Sequence, residues 1–492
     1  MFGIKKPLWF FCLLFSAAML APDVQARKVK EKTLSVSQTR ADFEQLYGSL
    51  QEAHFNLFAR ISKPEYDRLY RQVLGTLTAP AAASQVALRF QRFAAFGKVA
   101  HARIDANYRN FAQFMAGGGK AFPLLIRVIG SKTYVAENRS GINAIARGDE
   151  ITKLNGRPIE YWLSRCGRNL SADTPYMAHA LMELDFPMLL WLELGPQPRF
   201  NVTVRRAGSS ARTIALPARG ETDMKAFVAK QSPVLRLDGT QRVARMMENG
   251  VAYLRPGAFY NTDPNAKDEY DNTAFRLFVD SSFRKFLAAG ATSLVIDIRD
   301  NPGGDSSFSD LMLAWFADKP FRFASSFQIK VSKEAIASND ERLKAAPGNE
   351  HDVSHQYAAL YASARPGGIV PFPVDWSKPR AEPRFKGNVY LLVNRNSYSN
   401  CVAVAATVQD YSLGTVIGEE TSDLATTYGA MESFTLRESG LKVGFPKAYI
   451  VRPSGDQRPR GVVPDIAIPT PLVEDATDPV LQQAVSIAAT RK

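Results

Sequence analysis

The run Gly387–Thr421, GNVYLLVNRNSYSNCVAVAATVQDYSLGTVIGEET, leaves the chain few folds to choose from. Val389–Val393 is a short apolar run bounded by polar residues, which suits a buried strand. Asn394–Ser397 is polar turn chemistry, Asn400–Asp410 is rich in Ala and Val and long enough for a helix, and Leu413–Gly418 is apolar again. Strand, turn, helix, strand places Ser399 where a strand has ended and a helix begins. Backbone N–H groups at a helix start lack intrahelical partners and carry partial positive charge. A hydroxyl held there can attack a carbonyl while nearby amides receive the negative oxygen that develops. The plainer alternative is that Ser397 or Ser399 caps the helix.

A second stretch supplies what such a serine needs. Ser293–Gly304, SLVIDIRDNPGG, is an apolar strand running into Asp-Asn-Pro-Gly-Gly. Pro302 fixes one backbone angle, Gly303 and Gly304 reach conformations closed to other residues, and the amides of such a turn can form an anion-binding concavity. Val251–Leu254 reads as a strand, Tyr270–Ala289 as a helix with apolar Phe275, Val279, Phe283, Phe286 and Leu287, and a further helix runs through Leu311, Leu313 and Phe316. This alternation implies a mostly parallel sheet with helices against it, and both candidate turns lie at C-terminal strand ends, where open α/β sheets place their sites.

At these positions the chain resembles the tail-specific, or C-terminal processing, serine peptidases, a family that includes the tricorn core protease. Asp297, Ile298, Arg299, Asn301, Gly303 and Gly304 match its D-L-R-x-N-x-G-G turn. Ser397-Tyr398-Ser399-Asn400-Cys401-Val402 stands where the family has S-A-S-A-S-E, followed by Gly418-Glu419-Glu420-Thr421 for G-E-x-T and by Gly461-Val462-Val463-Pro464-Asp465-Ile466 for G-V-x-P-D-I. The resemblance implies an α/β multidomain fold with a ββα/βαβ catalytic core of the tail-specific protease (ClpP/crotonase-like) type. It implies a serine-type peptidase with Ser399 as nucleophile, amides of Gly303, Gly304 and Asn400 as oxyanion donors, and no metal or organic cofactor.

A serine needs a base. The tail-specific branch uses a lysine after G-E-x-T, but here that run reads Ser422-Asp423-Leu424-Ala425. The tricorn-like branch uses a histidine from the N-terminal part, and His101 alone falls at that place. Imidazole titrates near neutrality, so it can take the serine proton and return it to the leaving amine. The surrounding G-D-G-H-T of many relatives is replaced by Lys98, Val99, Ala100 and Ala102. The orienting acid is expected at Asp456, with Glu419 as alternative, and Asp465 is read as structural. His54 belongs to a recurrent cap motif and is also read as structural.

The remaining chain divides as 1–26 signal peptide, 27–105 helical cap, 106–228 PDZ-like domain, 229–470 catalytic domain, and 471–492 a C-terminal segment ending in a helix. Lys5 and Lys6, the apolar Leu8–Ala21 and the small-residue end at Ala26 have the form of a secretory signal, shorter than the ~20 apolar residues of a membrane span. Export into a periplasm or outside the cell is expected. Ile145–Ile159 resembles the G-D-x-I-x-x-x-N-G hairpin of PDZ domains at Gly148, Asp149, Ile151, Asn155 and Gly156; such a unit either adds a peptide to its sheet edge or serves as scaffold. Lys319–Phe385, rich in Pro and charge and carrying His351 and His355, is expected to be loop or lid.

The formal charge of +13 is spread along the chain without aromatic interleaving, which argues against nucleic acid as partner. Beyond the signal only Cys166 and Cys401 remain, too few for a disulfide framework, and Cys401 is expected as a small buried thiol. The expected partner is a peptide or protein substrate. The competing function is a catalytically inactive peptide-binding protein that keeps the fold, favoured by the missing lysine and by Tyr398 in the serine turn. A G-x-S-x-G hydrolase elbow is absent.

Overall fold

The computed structural model describes residues 31–266, 268–345, 353–473 and 475–490. The expected signal segment, with Cys12, and His351 lie outside them. A six-stranded sheet forms the centre, with strand order 466–467, 415–418, 388–393, 293–297, 251–255 and 243–246. All its pairings are parallel except that of the edge strand Val243–Met246. Val251–Arg255 and Ser293–Asp297 are buried along their whole length, as strands covered on both faces must be. Helices Thr273–Ala288, Ser306–Leu313 and Asn400–Asp410 pack one face around Phe275, Phe283, Leu391 and Val404; Pro479–Thr490 covers the other through Leu481 and Ala484.

Two turns leave this sheet at the same end. Asp297, fully buried, accepts Arg299 Nε at 3.0 Å, and Arg299 Nη2 reaches Asp478 at 2.6 Å. Asp478 in turn accepts the Leu481 amide at 2.9 Å, so the expected cap of the last helix also anchors the first turn. This is a physical reason for an Asp-x-Arg at the strand end: the arginine ties turn to helix while neutralising a carboxylate that has no water.

A six-stranded antiparallel sheet precedes the core, with strand order 124–129, 132–138, 150–154, 199–205 and 212–217, and the short strand Arg157–Pro158 pairing with 150–154 off this path. Asn155 (φ 49°) and Gly156 (φ 76°) make its tight hairpin, as Asn-Gly should. The helix Pro175–Leu194 lies beside the edge strand Leu124–Ile129.

The N-terminal helices Val36–Ala53, Lys63–Thr76 and Ala83–Ala95 begin in part at capping boxes, Ser35 with Gln38 and Ser62 with Glu65. Their aromatic core of Phe43, Tyr47, Tyr66, Phe90 and Phe93 continues into Phe327, Val443 and Phe445 of a second, four-stranded sheet. That sheet corrects the reading of Lys319–Phe385 as loop or lid. The segment contributes strands Ser326–Lys330 and Ile369–Pro371 and helices Lys333–Ala345 and Val353–Ala362, packed beside the hairpin Thr427–Thr435 and Lys442–Val451. Its charges are used internally: Arg342 pairs with Glu432. His355 is exposed on one of its helices.

Cys166 and Cys401 are both buried and unbridged. No helix of the described residues is long and apolar enough to cross a membrane.

Candidate active site

The strand Asn388–Val393 ends, six residues turn, and the helix Asn400–Asp410 starts. Ser397 is fully buried and structural: its Oγ donates to the Ile298 carbonyl at 2.8 Å and accepts the Asn394 amide at 3.1 Å. Ser399 is different. It is half-buried, makes no side-chain cap bond, and stands at φ 54°, ψ −122°. A non-glycine residue there is strained by roughly 1–3 kcal/mol, and such residues cluster at functional sites.

The neighbourhood holds that strain. The Ser399 amide donates to Asp423 Oδ2 at 2.8 Å, and the Tyr398 amide donates to the Asn301 carbonyl at 3.1 Å. A Cβ on Gly303 (φ 91°) would stand 2.5 Å from the Tyr398 carbonyl and 2.9 Å from Ser399 Cβ. The two turns thus touch at a point where only glycine fits. Of the three expected oxyanion amides, that of Gly303 donates to Asn301 Oδ1 at 3.0 Å, so among the described residues Gly304 and Asn400 are the ones left uncommitted. The Asn400 amide is the first of its helix, which has no intrahelical partner by position.

His101 comes to the same place. Its ring centroid lies 5.9 Å from that of Tyr398, and Tyr398 packs with Ala100, Ala172 and Met177. Burial pulls the imidazole down to about 4, with Arg103 adding to the shift and Asp173 opposing it. His101 is therefore neutral at pH 7, the form that can accept a proton. Its Nδ1 is buried without a hydrogen-bond partner among the described residues. His54 is fully buried nearby, where desolvation lowers it to about 3; its Nδ1 accepts the Asn56 amide at 3.1 Å, a structural use as expected.

The acid positions need correction. Asp456 is held by Arg458, whose Nε lies 3.0 Å from either carboxylate oxygen. Glu419 accepts Arg395 Nη2 at 2.6 Å and Arg127 at 3.4 Å. Both carboxylates are spent on guanidinium groups rather than on His101. Asp465 accepts the Val416 amide at 2.8 Å, a structural role.

Two carboxylates that sequence reasoning missed lie closer. Asp173 Oδ2 accepts the amide of Ala100, next to His101, at 3.0 Å, and Arg60 pairs with its other oxygen at 3.1 Å. Asp423 accepts the Ser399 amide as described. Burial raises both, Asp423 to about 6, and the two repel each other at Asp173. Asp173 sits just before the helix Pro175–Leu194, where an acid reads as a helix-start residue. Asp423 lies in the run where the tail-specific branch carries its lysine.

Residues 251–468 match Peptidase family S41. Comparison with curated protein sequences returns no match. Among solved structures, mature CPAF in complex with lactacystin superposes with a TM-score of 0.61 at 13% identity, covering 92% of this chain and 97% of that one. A second structure of mature CPAF gives 0.58 at 14% identity, covering 89% and 93%. The photosystem II D1 C-terminal processing protease gives 0.46 at 15% identity, covering 92% and 98%. The CPAF likeness is one of fold. Residues 251–468 are accordingly a Peptidase family S41 domain, and the protein that carries them is a serine-type peptidase.

Proposed function

We propose that the protein is an exported endopeptidase that cleaves unstructured or C-terminal peptide segments through an acyl-enzyme on Ser399. The observation that carries this reading is the serine's backbone: φ 54° at a strand-to-helix turn, with a half-buried hydroxyl spent on no cap. Strain of this kind costs stability wherever it occurs, and it clusters where a residue is held for function. In the proposed reaction Ser399 Oγ attacks the peptide carbonyl and His101 takes its proton. The tetrahedral oxyanion is received by the amides of Gly304 and Asn400. The C–N bond then breaks as His101 returns the proton to the leaving amine. Water, deprotonated by His101, releases the acyl group and restores the serine.

Asp173 is the acid best supported for steadying the imidazolium, because it borders the His101 loop and its charge favours the protonated ring. Periplasmic or extracellular location rests on the character of residues 1–26, and the PDZ-like reading of 106–228 rests on its Gly-Asp and Asn-Gly hairpin residues.

The His101 Nδ1, which has no hydrogen-bond partner among the described residues, joins the missing lysine and Tyr398 in favouring the inactive peptide-binding alternative. Incubating wild type and Ser399→Ala with a mixed peptide library, read by mass spectrometry, separates the readings. Cleavage by wild type alone supports the acyl-enzyme. Equal product patterns sink Ser399 as nucleophile, and binding without cleavage by either protein supports the alternative.

A further inference from the structure

The serine turn carries a residue with no part in the reaction above. Arg395 is buried between Asn394 and Asn396, four residues before Ser399. Its Nη1 donates to Glu183 Oε1 at 2.7 Å and to the Val128 carbonyl at 3.1 Å. Its Nε and Nη2 donate to Glu419 Oε1 at 3.0 and 2.6 Å, and its guanidinium carbon lies 5.4 Å from the centroid of the Tyr176 ring. Glu183 and Tyr176 belong to the helix Pro175–Leu194, and Val128 to the edge strand beside it. The side chain thus bridges Glu419, at the end of a central-sheet strand, and the helix and edge strand of the β-rich unit.

Its backbone is tied to the other side of the site. The Arg395 carbonyl accepts the Ser422 amide at 3.2 Å, and the next residue, Asp423, holds the Ser399 amide. The helix Pro175–Leu194 closes the loop: its first turn presses Met177 against Tyr398. Four charge-assisted bonds from one planar guanidinium fix direction as well as distance, which a single ammonium cannot do. A strained residue persists only where its surroundings over-determine it.

We propose that Arg395 is a positioning residue for the Ser399 turn, clamped by Glu183 and Glu419 so that the β-rich unit holds the serine in its strained conformation. The edge strand is closed by the same clamp. The Val128 amide donates to Glu183 at 2.6 Å while its carbonyl accepts Arg395, so a peptide adding as a strand there must displace two charged groups. The β-rich unit therefore serves the turn as scaffold at this edge.

The proposal rests on Ser399 being the nucleophile, and the test separates the two. Labelling of the serine by a small fluorophosphonate, together with kcat and KM on a peptide the wild type cleaves, is measured for wild type, Ser399→Ala, Arg395→Ala, Arg395→Lys and Glu183→Gln. Arg395→Ala is expected to lower kcat and labelling rate about 100-fold with KM little changed, the cost of misplacing a reacting group by about 1 Å. Added methylguanidinium restores both in proportion to its concentration, and Arg395→Lys recovers less than it does. Wild-type kcat and labelling in Arg395→Ala, whatever its Tm, overturns the proposal. Should Arg395→Ala not fold, Glu183→Gln decides: a slowed labelling rate supports the clamp and an unchanged one overturns it. Labelling of Ser399→Ala at the wild-type rate removes the nucleophile reading and the clamp with it, whereas an unlabelled Ser399→Ala beside a fully active Arg395→Ala removes the clamp alone.

Discussion

The hairpin Thr427–Val451 borders two clusters of buried ionisable groups that are built on opposite terms. At one, Lys447 and Arg342 both donate to Glu432 Oε1 at 2.6 Å, Lys447 lies 3.2 Å from the Tyr357 ring centroid, and Arg342 also reaches Asn339 at 3.0 Å. Burial alone would raise Glu432, but its two cations hold it below its ordinary value; Lys447, desolvated by burial and repelled by Arg342, falls to about 8. At the other cluster His101 keeps an unpartnered nitrogen, Asp173 and Asp423 repel each other, and Ser399 is strained. Groups that are fully paired stabilise a fold. Groups left short of partners cost stability and are reactive.

The sharpest break between the clusters is in catalysis. Ser399→Ala and His101→Ala are each expected to lower kcat/KM by on the order of 10⁴, since a nucleophile and its base act as a unit. Substitution of Glu432 has the inverse signature. Glu432→Gln leaves the buried Lys447 and the half-buried Arg342 without their carboxylate and should cost about 3 kcal/mol in urea unfolding, with kcat at the wild-type value. The pH dependence follows. A carboxylate whose folded pKa lies below its unfolded value of 4.5 contributes stability above that value and loses it as pH falls through the folded one. Wild type should therefore lose stability below about pH 4.5 more steeply than Glu432→Gln. A variant equally stable but slow would place Glu432 with the catalytic cluster and erase the contrast.

Acid titration of activity tests the site from the other direction. The proposed base works when neutral, so its own limb falls as pH drops through about 4, while Asp423 holds the Ser399 amide best when ionised and is lost through about 6. The kcat/KM profile should show an inflection near 6 that Asp423→Asn removes, leaving the lower one. A single inflection at the ordinary histidine value of 6.5, unmoved by Asp423→Asn, would show that burial does not govern this histidine.

Much of this contrast was unreadable from the chain, for a physical reason that differs by element. The central strands are short apolar runs because both faces are covered, so Val389–Val393 and Ser293–Asp297 read directly. The two turns announced themselves through Pro302, the glycine pair and a serine at a strand end. The segment after Lys319 read as loop because its charges look solvated, whereas Arg342 is paired across the fold with a residue 90 positions away. Asp173 and Asp423 carry no periodic signal, and only the fold brings residues 250 positions apart to one histidine and one serine. Asp456 stood near the expected place in sequence, but Arg458, two residues on, captures it. Linear spacing registers where a carboxylate is, not which cation reaches it first.

The smallest expected effect isolates strain from chemistry. Ser399→Gly and Ser399→Ala both remove the hydroxyl, so neither should turn over, and both lose the same polar atom from a half-buried site. They differ in the backbone: glycine occupies φ 54°, ψ −122° without a Cβ clash, and alanine does not. Glycine also raises the conformational entropy of the unfolded chain, which works against it by roughly 0.4–1 kcal/mol. Strain of roughly 1–3 kcal/mol exceeds that, so Ser399→Gly should unfold at higher urea than Ser399→Ala by about 1 kcal/mol. No such gain would accompany a glycine at Ser397, whose buried hydroxyl makes two hydrogen bonds and whose loss there is purely destabilising. If Ser399→Gly is instead the less stable of the pair, the serine turn is not strained, and the two clusters differ only in how their charges are paired.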